Sequence, residues 1–365
     1  MKRNSPQVDE HAIADWPIVI VVLSFCALSY FFLLQHGIVR DVVRSASTNF
    51  TLYFAMWIFM VLGSVLFRLA IDRPNFPISH IRLSVLNATL FKRTFEFLGL
   101  LGCLTLFMPL FSAFKSAIPL FNPYSWDPTF IAWDRVIFMG SDAWQAIHPF
   151  FGFPVVTSAL SLGYHLWILL IFAGSIFMGI YQQNPVLRQR YFIAYFLSWS
   201  IIGIGFANAL SSVGPVFAGP LLGLDTFDAQ TAYLREADKQ WPVMVLSVQE
   251  SLLAWHRSGD HGLGRGITAM PSMHVALAFL FYLAMREVSK LWSRLSLAFL
   301  IIIFIGSIHL AYHYAVDGLV AIILVLPIWY LSGTFARAPQ KRGLSWLGVP
   351  FWDLIRERGQ TRASV

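Results

Sequence analysis

Two polar islands interrupt otherwise apolar sequence: Gly266-Ile-Thr-Ala-Met-Pro-Ser-Met-His274 and His309-Leu-Ala-Tyr-His313-Tyr-Ala-Val-Asp317. The segment between them reads as one hydrophobic hairpin, so both islands return to the same membrane face. Ionisable side chains near lipid are costly and persist where they serve function. Three histidines, a serine and an aspartate are therefore expected to meet in one place. His313 and Asp317 are four residues apart, so on a helix they share a face. A carboxylate beside one imidazole nitrogen fixes the tautomer and frees the other nitrogen to attack. Pro271 and Ser272 open the helix that carries His274, and such a helix start gathers N–H groups and the positive dipole end into an anion seat. The islands read as a nucleophile with its orienting carboxylate, an anion seat, and a second histidine able to act as acid.

Around these islands the composition is that of a membrane protein. Of 365 residues, 57% are hydrophobic and 12% charged, and 33 are phenylalanine. Ordinary soluble domains carry roughly a quarter charged residues. Several stretches exceed the ~18 apolar residues that span a bilayer. The expected fold is an all-α polytopic membrane bundle of about eight transmembrane helices: Trp16–Leu34, Thr51–Ile71, Phe95–Phe114, Val155–Tyr181, Tyr191–Leu210, Ser272–Val288, Leu295–Leu310 and Asp317–Leu331. The polar stretch 1–15 precedes a retained first span rather than a cleaved signal. Cys26 and Cys103 fall inside spans, which reads as small buried residues rather than a disulfide.

Lys and Arg set the orientation. Of 26, 17 fall in the tails and in the loops after spans two, four and six. Both termini are therefore expected to be cytoplasmic, with His274 and His313 facing outward. In a bacterial inner membrane that is the periplasmic face; in a eukaryote it is a lumen. This uneven placement accounts for the net charge of +7 without nucleic acid as a partner. The basic tail 333–365, with Trp346, Phe351 and Trp352, is expected on the anionic cytoplasmic leaflet.

Pro271-Ser272-Met273-His274, together with His313-x3-Asp317, resembles the second and third motifs of the type 2 phosphatidic acid phosphatase superfamily. Ala-Met-Pro-Ser-Met-His followed by Val-Ala, with His-Tyr-x-x-Asp, is most similar to the branch of inositol-phosphorylceramide synthases and their bacterial relatives. The resemblance implies a six-helix phosphatase-like core over residues 95–332. Around that core stand two accessory spans with their loop (16–94), and outer-face loops 116–154 and 211–271. It implies a phosphohistidine mechanism on a phospholipid or polyprenyl (di)phosphate: His313 as nucleophile, Asp317 orienting it, His274 as acid and Ser272 on the phosphate. Water or a lipid or sugar alcohol would accept the phosphoryl group, and neither metal nor cofactor is called for.

Two departures from the family pattern stand out. The first motif, Lys-x6-Arg-Pro, is absent. Gly306 and Ser307 occupy the places where the third motif usually has Ser-Arg. Three phosphate-binding cations are thus missing, a pattern similar to the lipid phosphotransferase branches. Arg265, nine residues before His274, is the best substitute, because guanidinium pairs with phosphate bidentately. Lys239 and Arg257 are weaker ones.

The outer segments carry further expectations. Asp134-Arg135, among Trp126, Trp133 and Trp144, reads as a structural ion pair on surface-lying helices. Ser211–Pro215 and Gly219-Pro220 read as sharp turns. Trp241, Met244, Val245, Val248, Leu252 and Trp255 recur at helical spacing, as an amphipathic interfacial helix. His165 reads as a hydrogen-bonded core histidine. Two rival functions stay open. His309, His313 and Asp317 at i, i+4 and i+8 could present metal or haem ligands as one stripe. The span number also permits a proton-coupled transporter.

Overall fold

The computed structural model describes residues 15–38, 42–84, 88–259 and 263–341. The charged tail ends named above, including Trp346, Phe351 and Trp352, lie outside the described residues. The described chain is helical, with no strand. Seven helices are long and apolar enough to cross a membrane. These are α1 (Trp16–Gln35), α2 (Val42–Asp72), α4 (Ala88–Phe121), α7 (Pro154–Tyr181), α8 (Pro185–Ala209), α13 (Lys290–His309) and α14 (Ala315–Lys341). Between them lie α3 (Pro77–Ser84), α5 (Asp127–Ile137), α6 (Ala143–Phe151), α9 (Pro215–Leu222), α10 (Asp228–Asp238), α11 (Val245–Ser258) and α12 (Met273–Met285). This is the architecture of an integral, multi-pass membrane protein.

The eighth expected span is α12. It covers 13 residues, about 20 Å at 1.5 Å per residue, shorter than a ~30 Å hydrocarbon core. Its N-cap is Ser272, whose Oγ accepts the Val275 N–H, so the helix begins where Pro271-Ser272 places it.

Large aromatics knit the bundle. Phe107 packs edge-on to Phe196 at 5.0 Å, and Phe111 edge-on to Trp199 at 4.6 Å. Phe25 of α1 stacks on Phe107 at 4.3 Å, tying the accessory helices to the core. Each such pair contributes roughly 0.5–1.5 kcal/mol beyond area burial. Outward faces carry exposed apolar residues such as Leu28, Phe31, Phe59 and Ile323, while polar side chains such as Ser161, Ser175 and Ser198 are buried inside. Both α7 and α8 contain wide π-helical turns, at Leu170–Gly174, Phe177–Tyr181 and Ser198–Phe206.

The two ends of the bundle differ. At one, Arg188 forms a two-pronged ion pair with Asp15, Arg190 pairs with Glu287, and Arg93 donates to Gln183. Arg190 also reaches the Trp329 carbonyl. The start of α1 and the later part of α14 thus share this arginine-rich end. α12 runs from His274 at the other end to Arg286 here, so the polar islands sit opposite.

Several expectations are corrected. α4 does not stop at Phe114; it runs unbroken to Phe121 through Pro109 and Pro119, so the outer segment starts later than 116. A proline bends a helix without ending it when neighbouring helices hold the chain. Gly219-Pro220 lies inside α9, not in a turn. The break predicted at 211–215 is real: α8 ends at Ala209, and Gly214 adopts φ +85° before α9. Trp241 precedes α11 rather than belonging to it. Asp134 and Arg135 do not pair with each other; Arg135 bonds Asp142 at 2.7 Å, and Asp134 turns inward to backbone N–H groups.

Candidate active site

α13 ends at His309, and the chain turns through Ala311, which takes a left-handed φ of +61°. His313 therefore lies in the turn before α14, not on a helix with Asp317. The pair forms nevertheless, because Asp317 occupies the first turn of α14 and reaches back. His313 Nδ1 lies 3.2 Å from Asp317 Oδ2, and the same oxygen accepts the Tyr314 N–H at 3.1 Å. A carboxylate at Nδ1 leaves Nε2 with the lone pair. Both side chains are buried. Burial draws the His313 pKa down to about 3, with Lys115 acting in the same sense and the Ala269 carbonyl opposing. His313 is therefore neutral at physiological pH.

The second island meets the first directly. The Ser272 N–H donates to the Asp317 carbonyl at 3.1 Å. The His274 ring lies 5.8 Å from that of His313, centroid to centroid. Tyr164 and Trp167 hold it, with ring centroids at 4.4 and 4.1 Å, and Trp167 Nε1 donates to the His274 carbonyl. His274 and His313 share one cavity of about 830 Å³ with Lys115, His165 and Arg265.

The sequence-derived candidates separate as follows. His274, His313, Asp317 and Arg265 come together; Arg265 also lays its guanidinium 4.6 Å from the Trp255 ring. Ser272 serves α12 as its N-cap, and the cavity wall runs through Pro271, Met273 and His274 without it. His165 is hydrogen-bonded to the Ser161 carbonyl, as a core histidine would be, yet it also lines the cavity. Lys239 pairs with Glu236, Arg257 is exposed, and neither reaches the cavity. His309 leaves the site: its Nε2 lies 2.9 Å from Thr157 Oγ1, near Tyr233 and His148. The stripe of His309, His313 and Asp317 does not form, because the helix breaks between the first two. Among the described residues no three or more His, Cys, Asp or Glu side chains converge as metal ligands would.

Lys115 was not foreseen. It looked like a loop cation because α4 was expected to end at Phe114. The signal was its position at the outer end of a long apolar run, where a lone ionisable residue marks a functional site. Lys115 and Arg265 line one cavity because the loop before α12 lies directly on α4. Gly264 N–H donates to Ser112 Oγ at 3.2 Å. Gly266 has φ +97°, and a Cβ there would fall 2.8 Å from the Ser116 backbone. Only glycine permits that approach.

Two buried carboxylates of α5 position the turn that carries His313. Asp127 and Asp134 are seven residues apart, on one face of the helix. Asp127 accepts the N–H groups of Val213 and Gly214 and the Tyr314 hydroxyl, the last at 2.8 Å. Asp134 accepts the Ala315 and Val316 N–H groups at 2.8 and 2.9 Å, capping the helix that carries Asp317. Burial raises the pKa of both carboxyls, and the N–H donors oppose it. Gly214 lets the 211–215 strand of chain lie against the same turn: a Cβ there would come within 2.5 Å of the Tyr312 carbonyl. Behind it, Gln230 donates to the Ile308 carbonyl and Gln249 to the Leu310 carbonyl, satisfying the end of α13.

The motifs, their geometry and a family match agree. The family model of the PAP2 superfamily matches residues 128–331, more than half of the chain, and the protein belongs to that superfamily of membrane phosphatases and phosphotransferases. No curated protein and no solved structure matches it. Lys115, α2 and α4 all precede the matched stretch.

Proposed function

We propose that the protein transfers a phosphoryl group from a lipid phosphate, a phospholipid or polyprenyl (di)phosphate, at the outer face of the membrane through a phosphohistidine. The observation that carries this is the His313–Asp317 pair facing His274 across one cavity that also holds two cations, Lys115 and Arg265.

His313 Nε2 attacks phosphorus. The N–P bond forms as the P–O bond to the leaving group breaks, and His274 gives its proton to the departing oxygen. Asp317 stabilises the positive charge that develops on His313. In the second step water or an alcohol attacks the phosphohistidine, His274 takes the acceptor's proton, and the N–P bond breaks. An anionic phosphate beside His274 favours its protonated form, which primes the first step. Lys115 and Arg265 neutralise the phosphoryl oxygens, the task left open by the missing first motif and by Gly306 and Ser307. Ser272 holds the start of α12 in place, so that its N–H groups and dipole face the phosphate. No step draws on a metal.

Hydrolysis and transfer use the same residues. The missing cation motifs and the Ala-Met-Pro-Ser-Met-His run favour transfer to an alcohol, similar to inositol-phosphorylceramide synthases. The test uses purified protein in mixed micelles with EDTA. Labelled phosphatidate, phosphatidylinositol and polyprenyl diphosphate are offered to the wild type and His313→Ala, following free phosphate and new labelled lipid. A new phospholipid that disappears in His313→Ala establishes transfer, and free phosphate that disappears establishes hydrolysis. Turnover that survives His313→Ala, or no turnover of any lipid by the wild type, rejects the mechanism.

A further inference from the structure

The cavity does not end at the two histidines. It continues between α4 and α7 to α2, where Asn49, Leu52, Met56 and Phe59 form its far wall. Their spacing of three, four and three residues makes them one stripe of α2. The stripe covers about 15 Å at 1.5 Å per residue, half of a ~30 Å hydrocarbon core. Its outer end is polar: Asn49 is buried and donates to the Leu104 carbonyl at 3.0 Å. Deeper in, the wall is apolar, and it is open sideways, since Leu52 is 43% and Phe59 69% exposed. α2 is fixed against α7 by Tyr53, which packs edge-on to Phe172 at 4.7 Å. The space thus has two cations and three histidines, His165, His274 and His313, along one part of its wall and a hydrocarbon-lined groove, open to lipid, along the other. That polarity matches an anionic amphiphile entering from the bilayer.

We propose that α2, which precedes the family-matched stretch, builds a lateral groove for the hydrocarbon chain of the lipid phosphate and so sets chain-length preference. The proposal rests on the phosphoryl-transfer reading for its headgroup end. The chain leaves one apolar medium for another, so the selectivity comes from packing against the α2 stripe rather than from escape from water. The phosphate sits at Lys115 and Arg265, and the chain descends along Leu52, Met56 and Phe59 toward the bilayer midplane.

The test pairs kinetics with cross-linking on the full-length protein. Ala55 also lines the groove, and Ala55→Trp fills it. With phosphatidates of eight-carbon and eighteen-carbon chains in mixed micelles, Ala55→Trp is expected to lower kcat/KM for the long substrate about tenfold more than for the short one. Equal losses on both, or no loss on either, overturn the groove. A long-chain phosphatidate with a diazirine midway along its chain is then cross-linked to wild type and to His313→Ala, with mapping of the labelled peptides. Labelling within 49–59 in both supports the groove independently of turnover and of how Ala55→Trp folds. Labelling confined to other helices overturns it. Turnover without α2 labelling rejects the groove alone; α2 labelling without turnover of any lipid phosphate rejects the reaction and leaves a lipid-binding groove.

Discussion

A single oxygen of Asp317 serves both the His313 ring and the Tyr314 N–H, so this side chain sets the His313 tautomer and the shape of its turn together. Asp317→Asn keeps an acceptor of the same size but removes the charge that stabilises an imidazolium. It is expected to lower kcat by roughly 10²–10⁴-fold while the protein still purifies as a folded species. Steady-state kinetics and size-exclusion profiles check both halves. In the proposed mechanism Lys115 acts on the bound phosphate. Lys115→Met should raise KM for lipid phosphate by about tenfold or more, with a smaller effect on kcat if the cation binds ground and transition states alike. His313 has a stability signature as well. Its pKa is about 3 in the folded protein against 6.5 for an ordinary histidine, so between those values the unfolded chain takes up a proton that the native state refuses. Stability from this site therefore rises with pH across that window and is lost as pH falls from 6.5 toward 3. The fall in Tm from about pH 7 to about pH 5 should be smaller in His313→Asn than in the wild type, in the same detergent. An equal fall would mean that His313 is not buried and neutral.

α5 holds the His313 turn from both sides, although it carries no group that the proposed mechanism uses. Its two carboxylates bind N–H groups of the 213–214 and 315–316 segments, so one short helix fixes both sides of His313. Asp134→Ala would leave two buried N–H donors without acceptors. It should cost about 2–4 kcal/mol of stability and reduce kcat, with Asp134→Asn recovering part of both because its amide oxygen still accepts. Denaturant titration and kinetics on both variants measure this, and an Asp134→Ala protein of wild-type stability and rate would remove α5 from the positioning role. The same helix marks where sequence reading ran out. His274, His313 and Asp317 were legible because their partners lie within a few residues or inside a short motif. The helices were legible because apolar length alone announces them. Asp134 was assigned to its neighbour Arg135 because local pairing is what spacing can see, whereas its real partners are backbone groups some 181 residues away. The three-residue turn between His309 and His313 was hidden for a related reason. Nothing in His-Leu-Ala-Tyr-His declares a left-handed alanine, so membership of the same polar island placed His309 in the site, whereas the turn sends its ring to Thr157. Lys115 was lost to a helix end placed seven residues too early, at a proline-bearing stretch that packing keeps helical.

Across the whole molecule, charge and chemistry are segregated to opposite ends. The arginines that pair with Asp15 and Glu287 gather where α12 ends, and His274 and His313 gather where it begins. Among the described residues, seven long helices and the shorter α12 run between the two ends, and the Asp15–Arg188 and Arg190–Trp329 contacts bring the start of α1 and the later part of α14 to the same end. By the positive-inside rule the basic end is expected in the cytoplasm, where anionic lipid also favours it. With that orientation the proposed site opens outward, toward headgroups of the outer leaflet, and a substrate made inside would have to cross the membrane before it reacts. Cysteine labelling tests this without disturbing the native thiols, since Cys103 is buried and Cys26 half-buried within spans. Ser141→Cys lies between α5 and α6 at the catalytic end, and Gln183→Cys lies between α7 and α8 at the arginine-rich end. A membrane-impermeant maleimide added to intact cells should label Ser141→Cys at once and Gln183→Cys only after the membrane is broken. The reverse pattern would place the phosphohistidine chemistry in the cytoplasm, among soluble alcohol acceptors, and would make the basic end an outward-facing surface.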